Sequence, residues 1–110
     1  MAVSMNEIEA VYERLAKATE AEFIAVSKTV AAKQQYEVSK AQKICAGVEG
    51  KNAAERDAAL DLMLTIETDV LVTAQNNEAQ ARLERTLADQ QRSMYRMLVD
   101  YYAANVADGA

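Results

Sequence analysis

The segment GVEGKN, residues 47–52, brings together two of the chain's three glycines, a lysine and an asparagine. In phosphate-binding loops four residues separate the two glycines, and a Ser or Thr follows the lysine. Here two residues separate Gly47 from Gly50, and Asn52 stands where the magnesium-binding hydroxyl would be. A helix rather than a strand is predicted before the segment. We therefore interpret it as a turn between two helices, with weak anion binding at the next helix start, aided by Lys51, as the alternative.

The chain contains no histidine and one cysteine, Cys45. Without imidazole, the chain lacks the side chain that ordinarily exchanges protons near neutral pH, and the Glu-x-x-His ligands of di-iron bundles cannot form. One cysteine excludes an intrachain disulfide and a CxxC metal site. We predict no metal or other cofactor and no enzymatic activity. Cys45 is expected to be a small buried apolar residue, the alternative being a free thiol that cross-links two subunits; either suits a reducing compartment.

Basic and aromatic residues cluster in the second half of the chain. The basic residues are Arg82, Arg85, Arg92 and Arg96, and the nearby tyrosines are Tyr95, Tyr101 and Tyr102. Such a combination could stack on a nucleotide and neutralise its phosphates, which makes Arg92 and Arg96 the candidate ligand-binding residues. The alternative is a solvated helix face whose aromatic residues lie in an oligomer interface.

Net charge and hydropathy limit the classes of partner. The net charge of −5 and the pI of about 4.7 argue against a large nucleic-acid-binding surface, which is usually basic. No apolar run approaches the length of a membrane span, which is about 18 residues or more. The first ten residues, MAVSMNEIEA, lack the basic region and apolar core of a signal peptide. We therefore predict a cytoplasmic protein without membrane contact.

The distribution of helix signals predicts an all-α fold, an antiparallel two-helix hairpin that forms a single domain over residues 1–110. The chain lacks proline and is rich in alanine, the residue with the highest helix propensity. The first helix is predicted over about residues 4–45, with Ser4 and Glu7 as a capping box. Gly47 and Gly50 form the turn, residues 46–52. The second helix is predicted over about 53–106, with Asn52 and Glu55 as its capping box.

Apolar periodicity predicts which face of each helix is buried. On the first helix the stripe is Ile8, Val11/Tyr12, Leu15, Thr19, Phe23, Val26, Val30, Val38, Ala41 and Ile44/Cys45. On the second it is Ala59, Met63, Ile66, Val70, Thr73, Asn77, Gln80, Glu84, Leu87, Gln91, Met94, Leu98 and Tyr101. The middle of the second stripe, residues 73–80, is polar. Its amides either set register at the helix–helix contact, which we favour, or face solvent after a shift of the stripe.

A reversal centred near Glu49 would place residue i opposite a residue near about 98 − i. Phe23 would then lie near Gln75, and the second helix would extend past the start of the first from about Tyr95. This overhang is rich in apolar and aromatic residues, of which Tyr95, Leu98, Tyr101 and Tyr102 are the predicted oligomer or partner interface. Because a two-helix hairpin has a thin core, we expect a homo-oligomer, most simply a dimer that forms a four-helix bundle.

The turn and the start of the second helix resemble a segment of short helical proteins encoded by tailed bacteriophages and prophages. These proteins carry a G-K-N-x-x-E-R-x-A-x-L pattern followed by a long helix. The matching residues here are Gly50, Lys51, Asn52, Glu55, Arg56, Ala58 and Leu60. The resemblance implies phage or prophage origin, with the host cytoplasm as the site of action, and no particular mechanism.

Together these observations favour a non-enzymatic, oligomeric helical protein that acts by binding a host or phage protein. The alternative is an oligomer that sequesters a nucleotide between Arg and Tyr side chains of adjacent subunits.

Overall fold

The computed structural model describes residues 3–109, which form helices α1 (Met5–Ala46), α2 (Ala53–Met63) and α3 (Thr65–Gly109). The described residues contain no strand, so the all-α prediction is confirmed. Side-chain contacts join α1 to α3, for example between Arg14 and Glu84 and between Thr29 and Ala74.

Local capping interactions define the helix ends. Ser4 Oγ accepts a hydrogen bond from the Glu7 N–H at 3.1 Å. At the other end of α1, Gly47 has a φ of 96°, a left-handed conformation that glycine adopts without steric cost. Asn52 is the N-cap of α2, because its Oδ1 accepts from the Glu55 N–H at 2.9 Å. The Glu55 carboxylate accepts from the Lys51 N–H at 2.8 Å, one residue before the N-cap N–H that a standard capping box would use.

Gly50 packs closely against the first turn of α2. A Cβ atom at this position would lie 2.7 Å from the backbone nitrogen of Arg56, so a side chain does not fit without a backbone shift. The Gly50 carbonyl also accepts from Arg56 Nη1 at 3.4 Å. The connection, residues 47–52, therefore packs against the first turn of α2.

The second predicted helix is interrupted at Leu64, contrary to the prediction of one helix from 53 to about 106. Leu64 has φ −103° and ψ 14°, and its N–H points at the carbonyls of both Leu60 (3.1 Å) and Asp61 (3.2 Å). The Thr65 hydroxyl donates to the Leu62 carbonyl at 2.9 Å, an example of a threonine competing for main-chain hydrogen bonds. Beyond this point α3 is continuous through Asn76 and Asn77.

Contacts divide the chain into two compact units. Unit 1 comprises Met1–Phe23 and Gln80–Ala110, and unit 2 comprises Ile24–Ala79. In both units small residues of α1 are buried at intervals of seven. They are Val11 and Ala18 in unit 1, and Ala25, Ala32 and Ser39 in unit 2. We call this set the alanine seam.

The heptad spacing of the alanine seam is that of a coiled-coil contact, and small side chains at such a contact let helices approach closely. On α3, Ala88 is completely buried in unit 1. In unit 2 the Thr29 hydroxyl lies 3.1 Å from the carbonyl of Ala25 on its own helix and 3.1 Å from that of Ala74 on α3. A short side chain that reaches the main chain of the facing helix indicates close packing.

The buried face of α2 and α3 lies one residue later than the predicted stripe at each step. Its buried and half-buried members include Leu60, Leu64, Glu67, Leu71, Ala74, Glu78, Ala81, Ala88, Tyr95 and Tyr102. A shift of one residue turns a helix by about 100°. Met63, Ile66, Val70, Leu87 and Met94 are consequently exposed. The prediction was wrong because apolar residues recur on two adjacent faces of α2 and α3, and the buried face mixes Leu and Tyr with Ala and Glu, so periodicity of the large apolar residues alone did not identify it.

Other predictions that depended on the same stripe were also wrong. On α1 the first part of the predicted stripe is confirmed, because Ile8, Val11 and Leu15 are buried or half-buried. The later residues Phe23, Val30 and Val38 are exposed. Asn76, Asn77 and Gln80 are exposed, so these amides do not lie at the contact between the helices. Cys45 is exposed, not a buried apolar residue.

The register also differs from the prediction. Phe23 was expected near Gln75, yet it is Thr29, further along α1, that contacts Ala74. Tyr95 was expected to begin the overhang, but it lines a depression with Glu7, Val11 and Arg14 and therefore lies beside α1. The connection folds over the first turn of α2, which places the reversal later in the chain than Glu49.

Replacing Ala88 by Leu tests the requirement for a small residue at the contact. Ala88 has no exposed surface, so the added atoms should overpack the site and lower the free energy of unfolding by about 1–3 kcal/mol. Ala79→Leu, at an exposed position of α3, is the matched control and should change it by less than about 0.5 kcal/mol. Urea unfolding followed by circular dichroism at one protein concentration measures both. Equal stability of Ala88→Leu and wild type would contradict close packing.

Candidate functional site

The part of α3 in unit 1 exposes an apolar face that points away from the buried Ala88 and the half-buried Tyr95. We define the outer face of α3 as Leu83, Leu87, Gln90, Met94, Met97 and Tyr101. These residues follow one another in steps of four and three, and all are exposed. Met97 and Tyr101 retain 71% and 62% of their surface. None of the six residues is charged, and Gln90 is the one polar residue among them.

A shallow open groove of ≈ 450 Å³ runs along this face. Its lining consists of Asp89, Gln90, Ser93, Met94, Met97 and Leu98. Methionine side chains are flexible and polarisable, and they occur often at surfaces that adapt to a partner. The groove is therefore suited to an apolar helix or chain segment rather than to a small polar substrate.

The four predicted interface residues divide between two faces of α3. Leu98 and Tyr101 are exposed, the first beside the outer face and the second on it. Tyr95 and Tyr102 are half-buried and continue the heptad positions of Ala88. The rings of Tyr101 and Tyr102 lie 5.7 Å apart at 70°, an edge-to-face contact. A partner would therefore meet Leu98 and Tyr101 first.

The two candidate ligand-binding arginines are in different environments. Arg92 is half-buried and donates from Nε and Nη2 to Asp89 Oδ1, at 3.1 and 3.0 Å. The Asp89 carboxylate therefore partly neutralises Arg92, which weakens its attraction for an anionic ligand. Arg96 is exposed. The turn residues Gly47, Gly50, Asn52 and Glu55 lie in unit 2 and shape the connection described above.

A polar network links α1 and α3 within unit 1. Arg14 binds Glu84 through two hydrogen bonds, Nε to Oε1 at 2.8 Å and Nη2 to Oε2 at 3.1 Å, and Nη1 donates to Gln91 Oε1 at 2.9 Å. The hydrogen bonds from Arg14 lower the pKa of the Glu84 carboxyl, an effect that partial desolvation opposes and the nearby positive charge reinforces. The same contact raises the pKa of the Arg14 guanidinium.

Glu22 forms a second ion-paired position in unit 1. Its side chain is 18% exposed and lies between Arg85, whose Nε contacts Oε2, and Arg82, whose Nη1 is 3.9 Å from Oε1. The Oε2 atom of Glu22 is buried and forms an ion pair with Arg85, but the angles of this contact do not satisfy a hydrogen bond. Sequence reasoning missed Arg14, Glu22 and Glu84, because pairs between helices leave no local pattern and become visible only with the correct register.

Neither a metal site nor a membrane span occurs in the described part of the chain. No group of three or more His, Cys, Asp or Glu side chains there is arranged to hold a metal ion. No helix in that part is both long and apolar enough to cross a membrane. No protein-family model, curated protein or solved structure matches the chain. Function is therefore inferred from the surface of the molecule itself.

The Arg14–Glu84 pair predicts a pH dependence of stability. Because the pKa of Glu84 is lowered in the folded chain, the pair stabilises the fold at neutral pH, and this contribution is lost as pH falls through the lowered pKa. Glu84→Gln should therefore lose less stability than wild type between pH 7 and about pH 3. Glu9→Gln removes another exposed carboxylate as the control and should resemble wild type. Urea midpoints at the two pH values test this, and identical losses in Glu84→Gln and wild type would contradict it.

Proposed function

We propose that this chain is a non-enzymatic, oligomeric helical interaction protein, an accessory protein of a phage or prophage that binds a host or phage protein. The observation that carries the proposal is the arrangement of apolar residues. Small residues are buried on α1, whereas many large apolar side chains, such as Phe23 (73% exposed), Met97 and Tyr101, lie outside. Large exposed apolar surfaces on a folded chain are typical of protein interfaces.

The accessible surface supports association. It is 8180 Å² for a chain of 12.1 kDa, whereas a folded monomer of that mass exposes roughly 6,000 Å². The excess of roughly 2,000 Å² is larger than the roughly 800 Å² that each partner buries in a standard interface. The chain thus has enough surface for both self-association and a second partner.

The small core supports the same conclusion. Among the residues that the structure describes, the buried apolar ones are Val11, Ala18, Ala25, Ala32, Leu60, Leu64 and Ala88. Burial of apolar area stabilises a fold by about 25 cal/mol per Å², and alanine contributes little area. Ordering each residue costs about 1–2 kcal/mol of backbone entropy. Further apolar burial in an interface would offset part of this cost.

The phage or prophage origin is proposed from the segment Gly50 to Leu60, which resembles that of short phage-encoded helical proteins. Proteins of this kind would act in the host cytoplasm. The partner is expected at the C-terminal part of α3, where Leu98 and Tyr101 are exposed. Nucleotide sequestration receives less support, because Arg92 is engaged by Asp89.

Affinity capture from host lysate tests partner binding. The tagged chain should retain a defined protein, and Leu98→Asp or Tyr101→Ala should reduce its recovery at least about tenfold, since an interface anchor contributes about 2 kcal/mol or more. Thr86→Asp adds the same charge at an exposed position of α3 and should retain the partner. Circular dichroism of each variant establishes that it is folded.

Two results would overturn the proposed function. One is the absence of any retained protein whose recovery depends on Leu98 and Tyr101. The other is a nucleotide that raises the melting temperature of the wild-type chain but not of Arg92→Ala or Arg96→Ala, which would establish the sequestering function instead.

A further inference from the structure

We propose that the outer face of α3 is the self-association surface and that it pairs with the outer face of a second copy, with the two helices parallel and Gln90 opposite Gln90. This inference rests on the proposed function, which includes self-association, and it names the surface and the helix orientation by which two copies associate. The residues that meet would be Leu83, Leu87, Gln90, Met94 and Met97 of both copies, and Tyr101, at the C-terminal end of the outer face, remains for the partner proposed above.

The spacing of the outer face is that of a coiled-coil contact. Its residues alternate in steps of four and three over five intervals, the heptad pattern in which one helix presents apolar side chains to another. The contact of α3 with α1 uses a different set of positions, which includes Ala88 and Tyr95. α3 therefore carries two heptad faces, of which α1 covers one.

Surface area and charge indicate that a second copy of the chain covers the outer face. The chain exposes roughly 2,000 Å² more than a compact monomer of its mass, which exceeds the roughly 800 Å² per partner that a stable dimer needs. The six residues of the outer face carry no charge, and Asp89, which lines the groove beside them, is paired with Arg92, so the face favours neither an acidic nor a basic partner. A second copy supplies an equally uncharged face with identical spacing, and it is present wherever the chain is made.

The position of Gln90 selects the orientation. In an antiparallel pair centred on the outer face, Gln90 would lie opposite Met94, and its amide would lose water without gaining a partner, which is unfavourable. In a parallel pair the two Gln90 amides meet and can bond to each other. A single amide within an apolar heptad contact is a known means of fixing register.

The residues beside the outer face are compatible with the parallel arrangement. Positions that approach one another across a parallel coiled coil bring Thr86 toward Gln91 and Ser93 toward Leu98 of the other copy. The charged residues at equivalent positions, Glu84 and Asp100, would face the uncharged Ala79 and Asn105. The pair therefore forms without contact between like charges, although the chain has a net charge of −5.

Site-directed disulfide formation tests the pairing in the full chain with Cys45→Ser, which removes the exposed native thiol. Gln90→Cys should form a covalent dimer under mild oxidation, because facing Cα atoms in a parallel contact lie within disulfide range. Thr86→Cys, exposed beside the outer face, is the matched control and should cross-link at least about tenfold more slowly. In addition, Leu87→Asp should weaken dimerisation by at least about tenfold, since burying a Leu contributes about 1.5–3 kcal/mol.

Sedimentation of the wild-type chain separates failure of this inference from failure of the proposed function. A dimer with preferential Gln90→Cys cross-linking supports the parallel pair. A dimer in which Gln90→Cys reacts no faster than Thr86→Cys, or in which a mixture of Gln90→Cys and Met94→Cys chains cross-links instead, overturns the parallel pair and leaves self-association in place. A monomer at high micromolar concentration overturns both.

Discussion

Close packing of α1 against α3 through small side chains is the contact on which the rest of the structure depends. Ala18 and Ala88 in unit 1, and Ala25 and Ala32 in unit 2, occupy positions where most helical pairs place leucine or isoleucine. Alanine has the highest helix propensity and loses no side-chain entropy on burial. The contact is therefore compatible with long helices, but each alanine contributes little apolar area.

Because the contact between α1 and α3 buries little apolar area, large apolar residues of α3 remain on the surface. Leu83, Leu87, Met94 and Met97 lie outside the contact within unit 1, whose buried residue on α3 is Ala88. They remain exposed on α3. Specificity of the contact between helices then depends on polar groups, namely Arg14 with Glu84 and Gln91, and Glu22 with Arg85. Ion pairs of this kind favour one register over others, whereas alanine accommodates many.

Sequence reasoning succeeded where the signal was local. Helix content follows from composition, and the caps at Ser4 and Asn52 are formed by residues three positions apart. It failed where the signal lies between distant residues. The predicted stripe followed large apolar residues such as Met63 and Leu87, and these are exposed because the buried face lies one residue later, at Leu64 and Ala88.

The remaining differences have separate physical causes. At the interruption near Leu64, the Thr65 hydroxyl competes for the carbonyl of Leu62. Helix propensities of single residues do not reveal such a hydrogen bond. The register error arose because the connection folds over α2 at Gly50 and Arg56. For the candidate site, Leu98 and Tyr101 were identified because they lie in the predicted overhang, which is rich in apolar and aromatic residues, whereas their separation from Tyr95 and Tyr102 required the correct helix face.

The central claim is that the alanine contact is too small to sustain the fold and that association supplies further burial. Urea unfolding over a hundredfold range of protein concentration tests it most directly. If folding and dimerisation are coupled, the urea midpoint should rise with protein concentration. The apparent free energy of unfolding should increase by about 1.4 kcal/mol for each tenfold increase in protein concentration. A midpoint that does not change with concentration, together with a folded species of monomer mass, would contradict the account.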